Sequence, residues 1–221
     1  MVIAVSGMIG SGKSTLTKEL KEIYKNSILV EEFADEDPVF NKFLKWIYEK
    51  EPNIDIAFQS YIIESLSDTF KKEEKKFLKL YSNHKNGYMF LDRFNIEHYI
   101  FAIVTLEKKD KKYLKAFDAL FQHIVDPSDN PDLAIYLDAN FDVIKERILA
   151  RGRAVEVDNF AENEPYFQRL HELYKELFVK LCLFYNIPYK IINTNNKKDY
   201  EVQEEAEEII NNFEFSLSKR I

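Results

Sequence analysis

One stretch of the sequence has residue types and a spacing with a direct chemical reading: Gly7-Met8-Ile9-Gly10-Ser11-Gly12-Lys13-Ser14-Thr15. Glycine is scarce, five in 221 residues, yet three of the five fall within this stretch. Residues 7–14 match G-x-x-x-x-G-K-[ST] at every fixed position. Backbone N–H groups in such a loop wrap phosphate oxygens, and glycines permit the backbone shape this needs. The helix that follows adds positive potential at its N-terminus. Lys13 is placed to reach the outer phosphates, and the Ser14 hydroxyl to bind Mg²⁺. The stretch therefore reads as a site for nucleotide phosphates.

Other charged residues fall at the ends of apolar runs. Glu32 closes the second run, where a carboxylate can take a proton from an acceptor hydroxyl. A solvated carboxylate at a strand end is the plainer alternative. Asp92 and Arg93 close the third run, Asp92 suited to help hold Mg²⁺ and Arg93 to bind an acceptor oxygen. Arg147, Arg151 and Arg153 cluster further on. They suit a lid that neutralises a transferring phosphate, or simply the negative end of a helix dipole. "NKKD" at 196–199 matches a guanine-reading N-K-x-D, which a GTPase-type switch would carry. The D-x-x-G expected after the third run is missing there, since Asp92 is followed by Arg93, Phe94 and Asn95. A polar loop with Asp199 capping the last helix is the simpler reading.

The elements that must position these residues are legible as periodicities. Short apolar runs at 2–6, 28–31, 88–92, 133–139 and 188–193 predict five strands, mostly apolar throughout as in a parallel sheet buried on both faces. The stripe Ile96, Tyr99, Ile100, Ile103, Val104 predicts one helix, and Phe167, Leu170, Tyr174, Leu177, Phe178, Leu181 another. Residues 54–82 predict a single long helix, with "KKEEKK" at 71–76 as its solvated face. Strand–helix alternation predicts an α/β fold: a five-stranded parallel sheet with helices on both faces, in one domain over residues 1–221. The polar segment 151–164 fits neither period and reads as a mobile flap.

Composition narrows the classes. A net charge of −7 argues against a general nucleic-acid binder, which needs a basic stripe. No apolar run reaches membrane-spanning length, and the chain enters a strand at once, so a cytoplasmic protein is expected. The single cysteine, Cys182, lies in an apolar run and reads as a core residue. The four histidines show no ligand spacing.

In order and spacing, several pieces together resemble the deoxyribonucleoside kinases, most closely the bacterial deoxyadenosine and deoxyguanosine kinases. "VEEFADEDPVF" at 30–40 is similar to the family's general-base segment, "FQSY" at 58–61 to its base-reading stretch, and "LDRF" at 91–94 to its D/E-R-S motif. "YIFA" at 99–102 resembles its aromatic wall, "ERILARGRAVE" at 146–156 its lid and "LHELY" at 170–174 its following helix. The resemblance implies a P-loop kinase fold that uses ATP and Mg²⁺ to phosphorylate a deoxynucleoside 5′-hydroxyl, and a homodimer. It places the general base on Glu32, with Arg93 orienting the hydroxyl. Lys13, Arg151 and Arg153 fall on the transferring phosphate, Tyr48 on the sugar 3′-hydroxyl and Gln59 on the base. Phe58 and Phe101 fall on either face of the base, and Glu156 lies in the lid.

Two departures bear on specificity. Phe94 replaces the serine of D/E-R-S. The family's arginine–aspartate pair near the base falls on Leu66 and on Glu97 or His98, so it is not intact. The Gln59 amide, a donor beside an acceptor, matches adenine or cytosine and can flip to meet guanine or thymine. Without a cation at Leu66, guanine would leave an acceptor unpaired, which favours deoxyadenosine. A thymidylate-type monophosphate kinase is the alternative; it would need further cations for the acceptor's phosphate.

Overall fold

The computed structural model describes residues 1–31, 37–49, 51–152, 160–218 and 220. Five strands, β1 (Val2–Ser6), β2 (Ser27–Val30), β3 (Tyr88–Asp92), β4 (Leu133–Asp138) and β5 (Tyr189–Asn193), form one sheet in the order β2-β3-β1-β4-β5. Every pairing is parallel. The strands lie within a residue or two of the apolar runs, because a buried parallel strand needs apolar residues on both faces.

Alternation along each strand divides the core into two layers. Val2 and Ala4 of β1, with Met89 and Leu91 of β3, face Ile63, Phe70 and Phe77 of α3 (Asp55–Tyr81). The same layer takes up Ile96 and Ile100 of α4 (Asn95–Leu106), Phe117 of α5 (Lys111–Ile124), Ile148 of α6 (Phe141–Arg151) and Phe178 of α7 (Phe160–Phe184). Ile3, Val5 and Phe90 point the other way. They pack on Leu16 and Leu20 of α1 (Lys13–Ile23) and on Val202, Ala206 and Ile210 of α8 (Asp199–Asn212). Cys182 is fully buried in the first layer.

The remaining α-helix among the described residues, α2 (Pro38–Tyr48), stands over α3. Its start is fixed by Asp37, whose carboxylate accepts from the Val39 and Phe40 N–H groups at 2.9 and 3.0 Å, with Pro38 in the first turn. The other Asp37 oxygen accepts from the Tyr61 hydroxyl of α3 at 2.8 Å. One side chain thus caps α2 and ties it to α3.

Two expectations change in detail. Asp199 is the first residue of α8 rather than its cap: Lys198 holds the cap position, and its N–H donates to Glu201 Oε2 at 2.8 Å. Glutamate three residues into a helix satisfies the exposed N–H that an aspartate cap would have left to others. The segment read as a flap over 151–164 divides. Arg151 ends α6, and residues 160–164 open α7, with Phe160 buried and stacked on Phe167 at 5.3 Å. Residues 153–159 lie outside the described residues.

Candidate active site

The carboxyl ends of β1, β3 and β4 meet where the chain connections diverge to either side of β1, the position at which open α/β sheets bind ligands. Residues 7–12 leave β1 there and enter α1 at Lys13. Gly7 has φ +145°, and a Cβ on it would lie 2.6 Å from Ser11 Oγ and 2.8 Å from the Leu137 carbonyl. Gly12 holds the left-handed conformation at the start of α1, where no side chain caps the helix and no acidic residue occupies the first turn. The first N–H groups of α1 are thereby left for an anion. The Lys13 ammonium is buried and donates to the Met8 carbonyl at 3.1 Å, folded back over the loop. The Ser14 hydroxyl donates to Asp92 Oδ2 at 2.5 Å, while Asp92 Oδ1 is buried with no hydrogen-bond partner among the described residues.

Arg93 follows Asp92 immediately and turns the opposite way. Its φ is +78°, a left-handed conformation that costs a side-chain-bearing residue about 1–2 kcal/mol. Its N–H donates to the Val5 carbonyl at 3.1 Å, extending the β1–β3 pairing by one step. The buried guanidinium lies 4.9 Å from the Phe101 ring centre and 3.1 Å from Glu97 Oε2, and also donates to the Tyr174 hydroxyl. Tyr174 in turn donates to Glu97 Oε2 at 2.7 Å. The same carboxylate reaches the phosphate loop: Gly7 N–H donates to Oε2 at 3.0 Å, and Phe94 N–H to Oε1 at 3.3 Å.

Burial pushes the Glu97 carboxyl above the usual carboxylate range, opposed by Arg93, Lys13, the Gly7 N–H and the Tyr174 hydroxyl. Burial likewise holds the neighbouring His98 well below the ordinary histidine value, and Arg93 and Lys13 reinforce this, so the ring is neutral at physiological pH.

A cleft beside Arg93 is lined by Val30, Glu31, Leu66, Phe70, Phe94 and Asn95. Leu66 therefore stands at the edge of the site, and Phe94 is a buried wall in the place of the expected serine. Asn95 donates to Ser67 Oγ at 2.9 Å, and its Oδ1 is buried with no partner among the described residues. Gln59 is buried on α3, and its Oε1 is in the same condition. Phe58 packs under α2, 5.9 Å from the Phe40 ring and 5.7 Å from Phe43, whereas Phe101 lies over Arg93.

Arg147, read only as one of a cluster, instead bridges two loops. It donates to the Thr194 hydroxyl and carbonyl, both at 3.0 Å, and to the Ser11 carbonyl at 3.5 Å. Arg151 is exposed at the end of α6. Met8, Ile9, Gly10 and Thr15 take their expected places in the loop and first helical turn. Glu32, Arg153 and Glu156 lie outside the described residues, and of Tyr48 only the backbone, at the end of α2, is described.

Two residues central to this geometry were not singled out from sequence for what they do. Tyr174 was one member of an apolar stripe, and Glu97 only a candidate for a base-reading position. The available signal was Arg93 and Glu97 four apart, with a carboxylate inside an otherwise apolar helix.

Comparison with known proteins agrees with this architecture. The deoxynucleoside kinase family profile matches residues 3–217. The deoxyguanosine kinase of Lactobacillus johnsonii is 28% identical over 219 residues, covering 95% of this chain and 89% of its own. The deoxyadenosine/deoxycytidine kinase of Bacillus subtilis is 30% identical over 181 residues, covering 79% and 75%. Among solved structures, deoxyadenosine kinase from M. mycoides with bound dCTP superposes with a TM-score of 0.75 at 22% identity, covering 96% of this chain and 100% of its own. With the phosphate loop, the parallel sheet and a family match over nearly its whole length, the chain belongs to the deoxynucleoside kinases.

Proposed function

We propose that this protein transfers the γ-phosphoryl group of ATP to the 5′-hydroxyl of a deoxynucleoside, deoxyadenosine before the others, giving ADP and the 5′-monophosphate. The observation that carries the reading is the divergence of two consecutive residues. Asp92 turns to Ser14 and the phosphate loop, while Arg93, in its left-handed conformation, turns to the cleft on the other side. A donor phosphate and an acceptor hydroxyl held on these two sides meet at the end of β3. Phosphoryl transfer needs mainly this alignment and charge stabilisation.

In this reading Lys13 and the loop N–H groups neutralise charge on the phosphates, Arg93 orients the hydroxyl, and Glu32 accepts its proton. Arg151 and Arg153 close on the transferring group. Mg²⁺ would fit Ser14 and Asp92, hard oxygen donors, one Asp92 oxygen having no hydrogen-bond partner among the described residues, and when bound it would neutralise phosphate charge. Gln59, with its open carbonyl oxygen, suits the amino edge of adenine. Among the described residues that line the cleft Arg93 is the only cation, which favours a nucleoside over a nucleoside monophosphate as acceptor. The guanine-reading alternative at 196–199 loses its ground with the family assignment.

A homodimer belongs to the same proposal. Much of the apolar face of α4 is spent in the core, and the large apolar side chains left most exposed are Leu80 near the end of α3 and Leu183 and Phe184 at the end of α7. Sedimentation at micromolar concentration checks the state, and a monomer there removes the dimer. Initial rates with ATP and each of the four deoxynucleosides, their ribo-counterparts and dTMP test the reaction. Turnover of dTMP alone would reverse the reading in favour of a monophosphate kinase.

A further inference from the structure

Glu97 occupies the region where relatives were expected to carry a base-reading aspartate, yet none of its hydrogen bonds is directed at a base pocket. Its Oε2 collects the Gly7 N–H of the phosphate loop at 3.0 Å, Arg93 Nη1 at 3.1 Å and the Tyr174 hydroxyl at 2.7 Å. Its Oε1 takes the Phe94 N–H at 3.3 Å. Glu97 and Tyr174 are both fully buried. The Tyr174 hydroxyl closes a triangle, accepting from Arg93 while donating to Glu97. Three parts of the chain distant in sequence thus share one carboxylate oxygen: the first residue of the phosphate loop, the arginine at the end of β3, and α7.

We propose that Glu97, completed by Tyr174, is a positioning residue that fixes Arg93 against the phosphate loop, so that donor phosphates and acceptor hydroxyl are held in a single register, and that it does not read the base. This rests on the reading of Arg93 as the residue that holds the acceptor. The physical argument is that Arg93 has a strained backbone and a flexible side chain, and the neighbouring ring of Phe101 restrains only the plane of its guanidinium. Rotation within that plane depends on the acceptors its N–H groups find, and Nη1 finds Glu97. Glu97 offers an anionic one, anchored in turn by backbone N–H groups at either side. Such an anchor is common to every substrate, whatever its base.

The test uses Glu97→Gln, which keeps the shape and one acceptor oxygen but removes the charge, and Tyr174→Phe, which keeps the ring against Phe101 and Tyr136 and removes the hydroxyl. Expected for Glu97→Gln is a kcat lower by about 10–100-fold, the scale on which partners that orient a functional group act. The factor should be the same for all four deoxynucleosides, with KM little changed, and Tyr174→Phe should show a smaller loss of the same kind. A changed ranking of bases overturns the proposal in favour of base reading, and unchanged kcat in both variants overturns it outright. A second readout is independent of turnover. The ¹⁵N guanidinium signals of Arg93, identified by their disappearance in Arg93→Lys, should report a fixed side chain in the wild type and an averaged one in Tyr174→Phe and in Glu97→Gln. Signals equally fixed in wild type and both variants would overturn the positioning role. A wild type that phosphorylates no deoxynucleoside would instead sink the functional reading, with the NMR comparison still deciding whether Glu97 and Tyr174 hold Arg93.

Discussion

The two halves of the proposed site, one for the donor phosphates and one for the acceptor hydroxyl, are built from different materials. The donor half is mostly backbone: a loop of six residues between β1 and α1, glycines where a Cβ would collide, and the uncapped N–H groups of a helix start. The acceptor half is mostly side chains, drawn from β3, α3, α4 and α7, and its centre is a buried ion pair with a tyrosine bridging it. A backbone site is fixed by a short stretch of chain and tolerates little change in it. A side-chain site depends on packing between elements far apart in sequence, and each part can vary while the others compensate. Substitutions in the donor half should therefore abolish turnover whatever the acceptor, and those in the acceptor half should change rate or selectivity in graded steps.

The largest effect is expected at Lys13. Lys13→Met removes the buried ammonium that folds over the loop, and kcat/KM should fall by about 10³-fold, the upper end for loss of one group that stabilises transition-state charge. Deoxynucleoside binding, measured by calorimetry in the absence of ATP, should survive. A variant that loses nucleoside binding as well would show that the halves are not separable in the way their construction implies.

Glu32→Gln comes next. Loss of a general base should lower kcat at least ~10²-fold with less effect on KM, and the protein should fold normally, which circular dichroism and steady-state kinetics would check together. Near-wild-type activity would remove Glu32 from the acceptor half.

The same contrast explains what could be read from the sequence. The loop at 7–15 was legible because its chemistry is encoded in consecutive residues, and the strands because burial on both faces leaves continuous apolar runs. Asp92 and Arg93 were legible as strand ends, but not their divergence, which depends on a left-handed φ in a residue that is not glycine. Glu97 and Tyr174 sit 77 positions apart, and nothing local in either marks the other. Arg147 looked like a lid cation because spacing alone cannot tell a charge aimed at a ligand from one satisfied by Thr194. Phe101 matched an aromatic wall by motif, and its packing against the Arg93 guanidinium is a contact that no motif encodes.

Gln59 probes selectivity within the acceptor half. Gln59→Ala removes the amide whose oxygen has no partner among the described residues, and kcat/KM for deoxyadenosine should fall about five- to 150-fold, the value of one or two unmade polar pairings. The other nucleosides should fall less, compressing the ranking. Competition assays with mixed deoxynucleosides would show this directly. An unchanged ranking would mean that Gln59 does not face the base.

The smallest and sharpest effect is expected at Leu66. It lines the cleft beside Arg93, along with Asn95 and Asp129, whose Oδ1 and Oδ2 respectively are buried without hydrogen-bond partners among the described residues. Burial raises the Asp129 pKa, as expected for a carboxylate poorly compensated in its surroundings. An arginine at position 66 would enter a cleft that already contains one guanidinium, and like charges in a poorly solvated space repel. It would also find two open acceptors, and charge-assisted hydrogen bonds to them offset that repulsion. Its remaining N–H groups would suit the O6 and N7 acceptors of guanine better than the amino edge of adenine. Because gain and cost partly cancel, Leu66→Arg should shift the ratio of kcat/KM for deoxyguanosine over deoxyadenosine upward by roughly five-fold, the low end for pairing one buried polar group. Total activity should stay within an order of magnitude of the wild type. Parallel progress curves on the two nucleosides would measure the ratio. A ratio that moves toward deoxyadenosine, or that stays put while activity collapses, would place the base elsewhere and leave Leu66 as a wall of the Arg93 site alone.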